Sequence, residues 1–554
     1  MGDKNKEKRE IKISLGKAIF LFVAIILIVV VAILVVCLKN KKPNIVESKT
    51  DNTKTVDTKQ AFKYTLKSNS LEDFDLRFLQ LENKKINKIY SPLSIKYTLA
   101  MLNEGTEEET KEQIANLIGE YKANKYANNG NMSFANALFI RDTYRDSVKD
   151  TFVENLKNKY NADVEYDSFT TANIINSWVS NKTFNLINNI IDDSSVDELN
   201  LALINAVAID MEWENKFLER NLYSPDYQHE KYTWVAPRNL LSNRFEGVEN
   251  EISGMGIIAS INNYDIVNEL GEDNIRKTVE DAFKKYLNED PNGDASYYLN
   301  GKDVETAVKE YVDNYIKEIN SNYKKTNNNV DFYIYQDEKV TAFAKDLKEY
   351  DGTSLQYVAI MPEENLDKYV ENVTAENINY ITKNLKDINK RENFKEGVIT
   401  QITGYIPKFK FDYELNLIED LNNMGVKDVF NAEKANLKGI TTEKTYINQA
   451  KHKANIELTQ DGIKASAATF IGGAGAGETF DYLYDVPVEK IDLTFNKPYL
   501  FIIRDKETGE IWFVGTVYNP LSITDELETE NTEEGVEKYS EFLENLERLN
   551  TYSD

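Results

Sequence analysis

The chain has 554 residues, 41% of them hydrophobic, which is long enough for a large core or several domains. Its 92 acidic and 66 basic residues give a formal charge of −26, which argues against a nucleic-acid partner, because neutralising phosphates needs clustered Lys and Arg. The one cysteine, Cys37, leaves no intramolecular disulfide, so the fold must stand on packing.

Residues 1–17 carry six basic side chains, Lys4, Lys6, Lys8, Arg9, Lys12 and Lys17. Residues 18–38, AIFLFVAIILIVVVAILVVCL, are then apolar without a break, about 30 Å of helix, which predicts a retained transmembrane signal-anchor. No small-residue cleavage site precedes Cys37, and the basic N-terminus places the main domain outside the cell. A single-pass plasma-membrane protein with its main domain extracellular is therefore expected. Residues 39–60 are polar and without apolar periodicity, a solvated tether.

From residue 61 to 520 the chain reads as one large domain, and residues 521–554 as an acidic tail with eleven acids against Lys538 and Arg548. In that tail Val536, Tyr539, Leu543, Leu546 and Leu549 fall near one helical face. Within the domain, helical spacing recurs at Ile275, Val279, Ala282, Phe283 and Tyr286, and again at Val304, Ala307, Val308, Tyr311, Tyr315 and Ile319, predicting two amphipathic helices. Between them NEDPNGDASYYL, 288–299, has the glycine of a calcium loop but Leu at the twelfth position, where the bidentate carboxylate belongs, and a plain turn is the better reading. GMGIIA, 254–259, imitates a dinucleotide fingerprint without a convincing strand before it.

Enzyme chemistry finds few candidates. Only His229 and His452 exist, neither lies in a metalloprotease or nucleophile-elbow motif, and no phosphate-cradling loop with its lysine occurs. No catalytic residue, cofactor or metal is expected.

The most informative stretch is QDGIKASAATFIGGAGAG, Gln460 to Gly477. As a strand it sets Ile463, Ala465, Ala467 and Thr469 on one face and Lys464, Ser466, Ala468 and Phe470 on the other. Such small alternating residues suit a segment that lies outside a sheet and can enter one, although a flexible Gly/Ala linker would have the same composition. The flanks decide. FNKPYLFII (495–503) and FVGTVYNP (513–520) follow it, while YSPLSIKYTLAMLNEG (90–105), NALF (136–139), INSWVSNK (175–182), ALINAVAIDMEW (202–213) and ANLKGIT (435–441) precede it. In this order these pieces resemble the serpins, the strand-inserting protease inhibitors, over residues 61–520.

The resemblance implies an α+β fold of three β-sheets and about nine helices with an exposed reactive-centre loop, and against it residues 240–328 stand out as a family-atypical insertion. It implies inhibition of a serine-type endopeptidase, or a cysteine-type one, as a suicide substrate: the loop is cut, and 462–476 enters the sheet as a new central strand. The partner would be an elastase-, subtilisin- or chymotrypsin-like protease acting on a monomer. Carried over by residue, the hinge is Gln460, Asp461, Gly462, Ile463, Ala465, Ala467, Ala468 and Thr469, with Lys408 as the partner of Gln460. The hydrogen-bond cluster under the sheet, the shutter, is Ser91, Ser94, Asn205 and His452. The family spacing puts the scissile bond at Ala476-Gly477, and the long interval to Phe495 leaves Tyr482, Leu483 and Tyr484 as alternatives. The competing class is a non-inhibitory member acting as a surface binding module; such members tend to carry bulky, charged or proline residues at inward hinge positions, whereas only Ile463 here is larger than the family's usual residue.

Overall fold

The computed structural model describes residues 73–119, 121, 126–219, 231–235, 245–250, 252–261, 265–289, 298–324, 332–460, 462–463 and 487–522. The expected membrane span, the tether and the tail beyond Ser522 lie outside these, as do Asp461, His229 and residues 464–486. Among the described residues no helix is long and apolar enough to cross a membrane.

In chain order, α1 (Phe74–Leu81), β1 (Lys88–Tyr90) and α2 (Pro92–Asn103) come first. Then come α3 (Glu108–Ile118), β2 (Met132–Arg141), α4 (Asp150–Tyr160) and β3 (Asp163–Asp167), followed by α5 (Asn173–Lys182), α6 (Asp193–Val196), β4 (Leu201–Ile209) and β5 (Met211–Glu212). The middle of the chain holds β6 (Leu218–Glu219), β7 (Lys231–Val235) and β8 (Gly254–Ile261), then α7 (Ile266–Leu270), α8 (Glu272–Glu289) and α9 (Val304–Lys324). After β9 (Phe332–Gln336), β10 (Val340–Asp346) and β11 (Leu355–Pro362) come α10 (Leu366–Asn372), α11 (Ala375–Lys383), β12 (Lys386–Asp387), β13 (Ile399–Pro407), β14 (Phe409–Asn416) and α12 (Leu417–Asn423). The last strands are β15 (Lys451–Leu458), β16 (Gly462–Ile463), β17 (Val488–Thr494), β18 (Tyr499–Asp505) and β19 (Ile511–Val517).

The architecture is α+β. A seven-stranded sheet, β1-β19-β18-β11-β10-β9-β12, is buried on both faces along β11, β18 and β19, which is why those strands are nearly continuous in Val, Ile, Leu and Phe. A five-stranded sheet runs β17-β13-β8-β7-β6. Where one further sheet was expected the described ladders make two, β3-β2-β4 and β14-β15-β16-β5. They are halves of one surface: β4 ends at Ile209 and β5 starts at Met211, so one run of chain borders both, and β16 bridges β5 to β15 at that end. Twelve α-helices are described, three of them the consecutive α7, α8 and α9.

Helix α2 explains why the halves share a foundation. Ser91 caps it by accepting a hydrogen bond from the Ser94 amide at 3.1 Å, and Pro92 fills the first turn, where no amide donor is missed. Its residues from Pro92 to Tyr97 are all buried, so a serine-bearing first turn is embedded in the core.

The expected amphipathic helices are α8 and α9. Ile275, Val279, Phe283 and Leu287 face Val308, Val312, Ile316 and Ile319 in an apolar cluster of their own. Tyr311 and Tyr315 border that seam rather than fill it, Tyr311 stacking on Phe283 at 3.9 Å, and Val304 is exposed. Gly254–Ile261 is itself strand β8, and a Cβ on Gly254 would come within 2.3 Å of the Tyr405 ring, so its glycine serves close packing and not a phosphate loop. Most of the 288–299 turn lies outside the described residues.

Candidate functional site

Between β4 and β15 no ladder runs among the described residues. A cavity of about 480 Å³ lies there, lined by Leu201–Val207 on one side and Ala450–Ala454 on the other. Ile175 and Val179 of α5 contribute to its lining, as do Ser94, Leu99 and Leu102 of α2. β4 spends its other edge on β2, and β15 spends its other edge on β14, so each presents a row of strand-edge amides and carbonyls to this slot.

One end of the slot is already bridged. Gly462 pairs with Glu212, and Ile463 pairs with both Met211 and Leu458. A tight turn feeds this contact: the Thr459 amide and hydroxyl both donate to the Gly462 carbonyl, at 3.0 and 3.1 Å. The Trp213 indole donates to the Thr459 carbonyl at 3.0 Å, and the Phe217 amide to the Gln460 carbonyl at 3.0 Å. A Cβ on Gly462 would lie 2.2 Å from the Met211 carbonyl oxygen and 2.6 Å from Glu212 Cα, so only glycine fits. Gly462→Val is expected to unseat β16 at a cost of about 1 to 3 kcal/mol, read as a fall of several degrees in melting temperature; unchanged melting would mean the contact is not maintained in solution.

Of the other hinge residues expected from sequence, Gln460 lies in this turn, while Ala465, Ala467, Ala468 and Thr469 lie outside the described residues. So do Ala476, Gly477, Tyr482, Leu483 and Tyr484. Lys408 is buried at the junction of β13 and β14, where its amide donates to the Ser253 carbonyl and its carbonyl accepts from the Leu521 amide. The next residue, Phe409, pairs with Leu458, which puts Lys408 at the same end of the sheet as Gln460.

The shutter residues meet at the first turn of α2. His452 of β15 accepts a hydrogen bond at Nε2 from the Ser91 amide, 2.9 Å away, which puts its proton on Nδ1. Burial pushes its pKa down to about 4, so the imidazole is neutral. On the β4 side, the Ser94 hydroxyl donates to the Asn205 carbonyl at 3.4 Å. Thus α2 touches both half-sheets through residues three apart, Ser91 toward β15 and Ser94 toward β4.

Several contributors were not singled out from sequence. Asn136 of β2 accepts from the Asn205 amide group at 2.8 Å and donates to the Tyr160 carbonyl at 2.8 Å, extending this hydrogen-bond cluster across the half-sheet. The Oδ1 of Asn205 and the Oε1 of Gln449, both at the cavity, are buried without a hydrogen-bond partner among the described residues. Arg141, at the end of β2, donates to the carbonyls of Leu199, Ser168, Val196 and Asp197, fastening the chain that leads from α5 back into β4. The available signal was an asparagine inside each of two mainly apolar strands, since a buried amide needs partners.

A family model described as serpin (serine protease inhibitor) matches residues 70–238 and 305–520. A serpin-like protein of Methanosarcina acetivorans is 26% identical, over 86% of this chain and 93% of its own length. The leukocyte elastase inhibitor of Homo sapiens is 24% identical, over 80% of this chain and 97% of its own. Among solved structures the fold is similar to that of a thermophilic serpin, tengpin, in the native state, with a TM-score of 0.52 at 20% identity, covering 87% of this chain and 98% of that one. Thyroxine-binding globulin in complex with thyroxine has a TM-score of 0.51 at 16% identity, covering 82% of this chain and 99% of that one. With a family model matching well over half of its length, and with the β4–β15 slot bridged by the glycine turn at one end, this chain belongs to the serpin family.

Proposed function

We propose that the chain inhibits a serine-type endopeptidase, or a cysteine-type one, as a suicide substrate. The protease nucleophile attacks the carbonyl of Ala476, or of Tyr482, Leu483 or Tyr484. The peptide bond breaks, its nitrogen leaves as the new N-terminal amine, and the loop's carbonyl is held as an acyl ester or thioester. Residues 462–476 then enter the slot between β4 and β15 faster than water hydrolyses that bond, and carry the protease away. The observation that carries this reading is the pair of facing strand edges with no ladder between them among the described residues, bridged already at Gly462–Ile463. A strand placed there would meet edges on both sides and so gain two rows of backbone hydrogen bonds at once.

The alternation of Ala465, Ala467 and Thr469 supports the same reading, because small side chains can pass between packed surfaces with little displacement. We further place the domain outside the cell, held by a span at 18–38. Protease shaving of intact cells should release it, and a domain left untouched would contradict that placement. For the inhibitory reading, the full chain in detergent is incubated with elastase and with chymotrypsin. The expected result is an SDS-stable complex with one of them, and sequencing of the released C-terminal peptide identifies the bond. Cut chain with no complex from either enzyme would count against inhibition.

A further inference from the structure

Helices α7, α8 and α9 form a hydrophobic cluster of their own; α7 and α8 fall within residues 239–304, outside the family match, which resumes at residue 305 in the first turn of α9. A carboxylate of α7 ties these helices to the body. Glu269 of α7 accepts at Oε2 from the Arg391 guanidinium at 2.9 Å and from the Gly397 amide at 2.7 Å. Arg391 in turn donates to the carbonyls of Phe394 and Lys395, so it organises the whole turn that leads into β13. Gly397 holds φ +71°, a left-handed conformation, and Leu270 packs beside it at 3.9 Å from where a Cβ would be. The ion pair is largely sheltered, with side-chain exposures of 12% for Arg391 and 21% for Glu269.

The position of this contact gives it its consequence. Gly397 lies two residues before Ile399, which pairs with Val488, the first residue of β17. Among the described residues β17 is the edge strand of its sheet, paired with β13 alone, and from Val488 to Lys490 its side chains are exposed. It is also the strand onto which segment 464–486 runs. An edge strand with one neighbour and little buried side chain opens easily, and it is only as fixed as that neighbour.

We propose that the helical insert is a brace for this edge, with Glu269 the positioning residue that fixes the entry to β13 and thereby holds β17 in its ladder. The inference concerns the strand itself and does not require inhibition.

The test is amide hydrogen exchange on the full chain in detergent. Glu269→Ala should speed exchange of the β17 amides about tenfold, the loss of one sheltered charge-assisted contact, and leave β15 unchanged. Glu269→Gln, which keeps an acceptor for the Gly397 amide and loses the charge opposite Arg391, should fall between. Arg276→Ala breaks the insert's own pair with Asp313, 2.7 Å long, and should leave β17 exchange at the wild-type rate. Wild-type β17 exchange in both Glu269 variants, or an equal rise in Arg276→Ala, would overturn the brace. Because exchange reads β17 directly, failure of the inhibition assay would leave this result standing.

Discussion

Replacing Ala467 by arginine is expected to convert the protein from inhibitor to substrate, while the same change at Ala468 does far less. The two residues are neighbours outside the described region, but as a strand they alternate, with Ala467 in register with Ile463, which is buried where β16 meets β15. An arginine carried inward would be desolvated without a partner at a cost of several kcal/mol, against apolar lining such as Leu203, Val207 and Ala454. Entry slows, the acyl bond hydrolyses first, and the yield moves from covalent complex to cut chain. A one-unit rise in the entry barrier, about 1.4 kcal/mol, already changes the competing rates tenfold, so the shift should be nearly complete. Ala468→Arg points to the opposite face. Equal losses in the two variants, or no loss in either, would contradict entry in this register.

His452 should make the molecule acid-sensitive through one identifiable proton. Its folded pKa is about 4 and that of an unfolded histidine about 6.5. The unfolded chain therefore binds the proton first as pH falls, and the stabilisation that is fully present above about pH 6.5 is progressively lost down to about pH 4. Over that window the group alone accounts for about 3 kcal/mol. The structural cause is burial together with the Ser91 amide, which donates to Nε2 and leaves no place for a second proton there. Melting temperature measured from pH 4 to pH 7 for wild type and His452→Gln should give curves that converge toward low pH, the variant being flatter. Parallel curves would mean that the histidine does not titrate in this range.

The parts of the fold that could be read from sequence are those where one surface dictates a period. The faces of α8 and α9 were visible because a two-helix seam needs apolar residues three and four apart. The seam itself was misread in detail: Val312 and Ile316 fill it, while Tyr311 and Tyr315 flank it, Tyr311 stacking on Phe283 and Tyr315 on Tyr311. At the candidate site the pairs Ser91 with His452 and Ser94 with Asn205 are in contact, and they were suggested by resemblance, not by any period. Asn136 and Arg141 escaped notice because their roles depend on which strand lies beside β2 and which carbonyls gather at its end, and those are long-range facts. The split of the expected third sheet into two ladders was equally invisible, since β4 and β15 are separated by more than two hundred residues and nothing local records whether they pair. GMGIIA, set aside as a dinucleotide fingerprint, owes its first glycine to a tyrosine ring that arrives from β13, another long-range fact.

The account rests on a new strand entering between β4 and β15, and the most direct measurement compares the uncut chain with chain cut once within 464–486. Entry of about a dozen residues, bonded on both edges, should raise the melting temperature by more than about 10 °C and protect the amides from Lys464 to Phe470 against exchange, together with those of Leu203 to Val207 along the facing edge. A cut chain that melts where the uncut chain does, with Lys464 to Phe470 still exchanging freely, would contradict it.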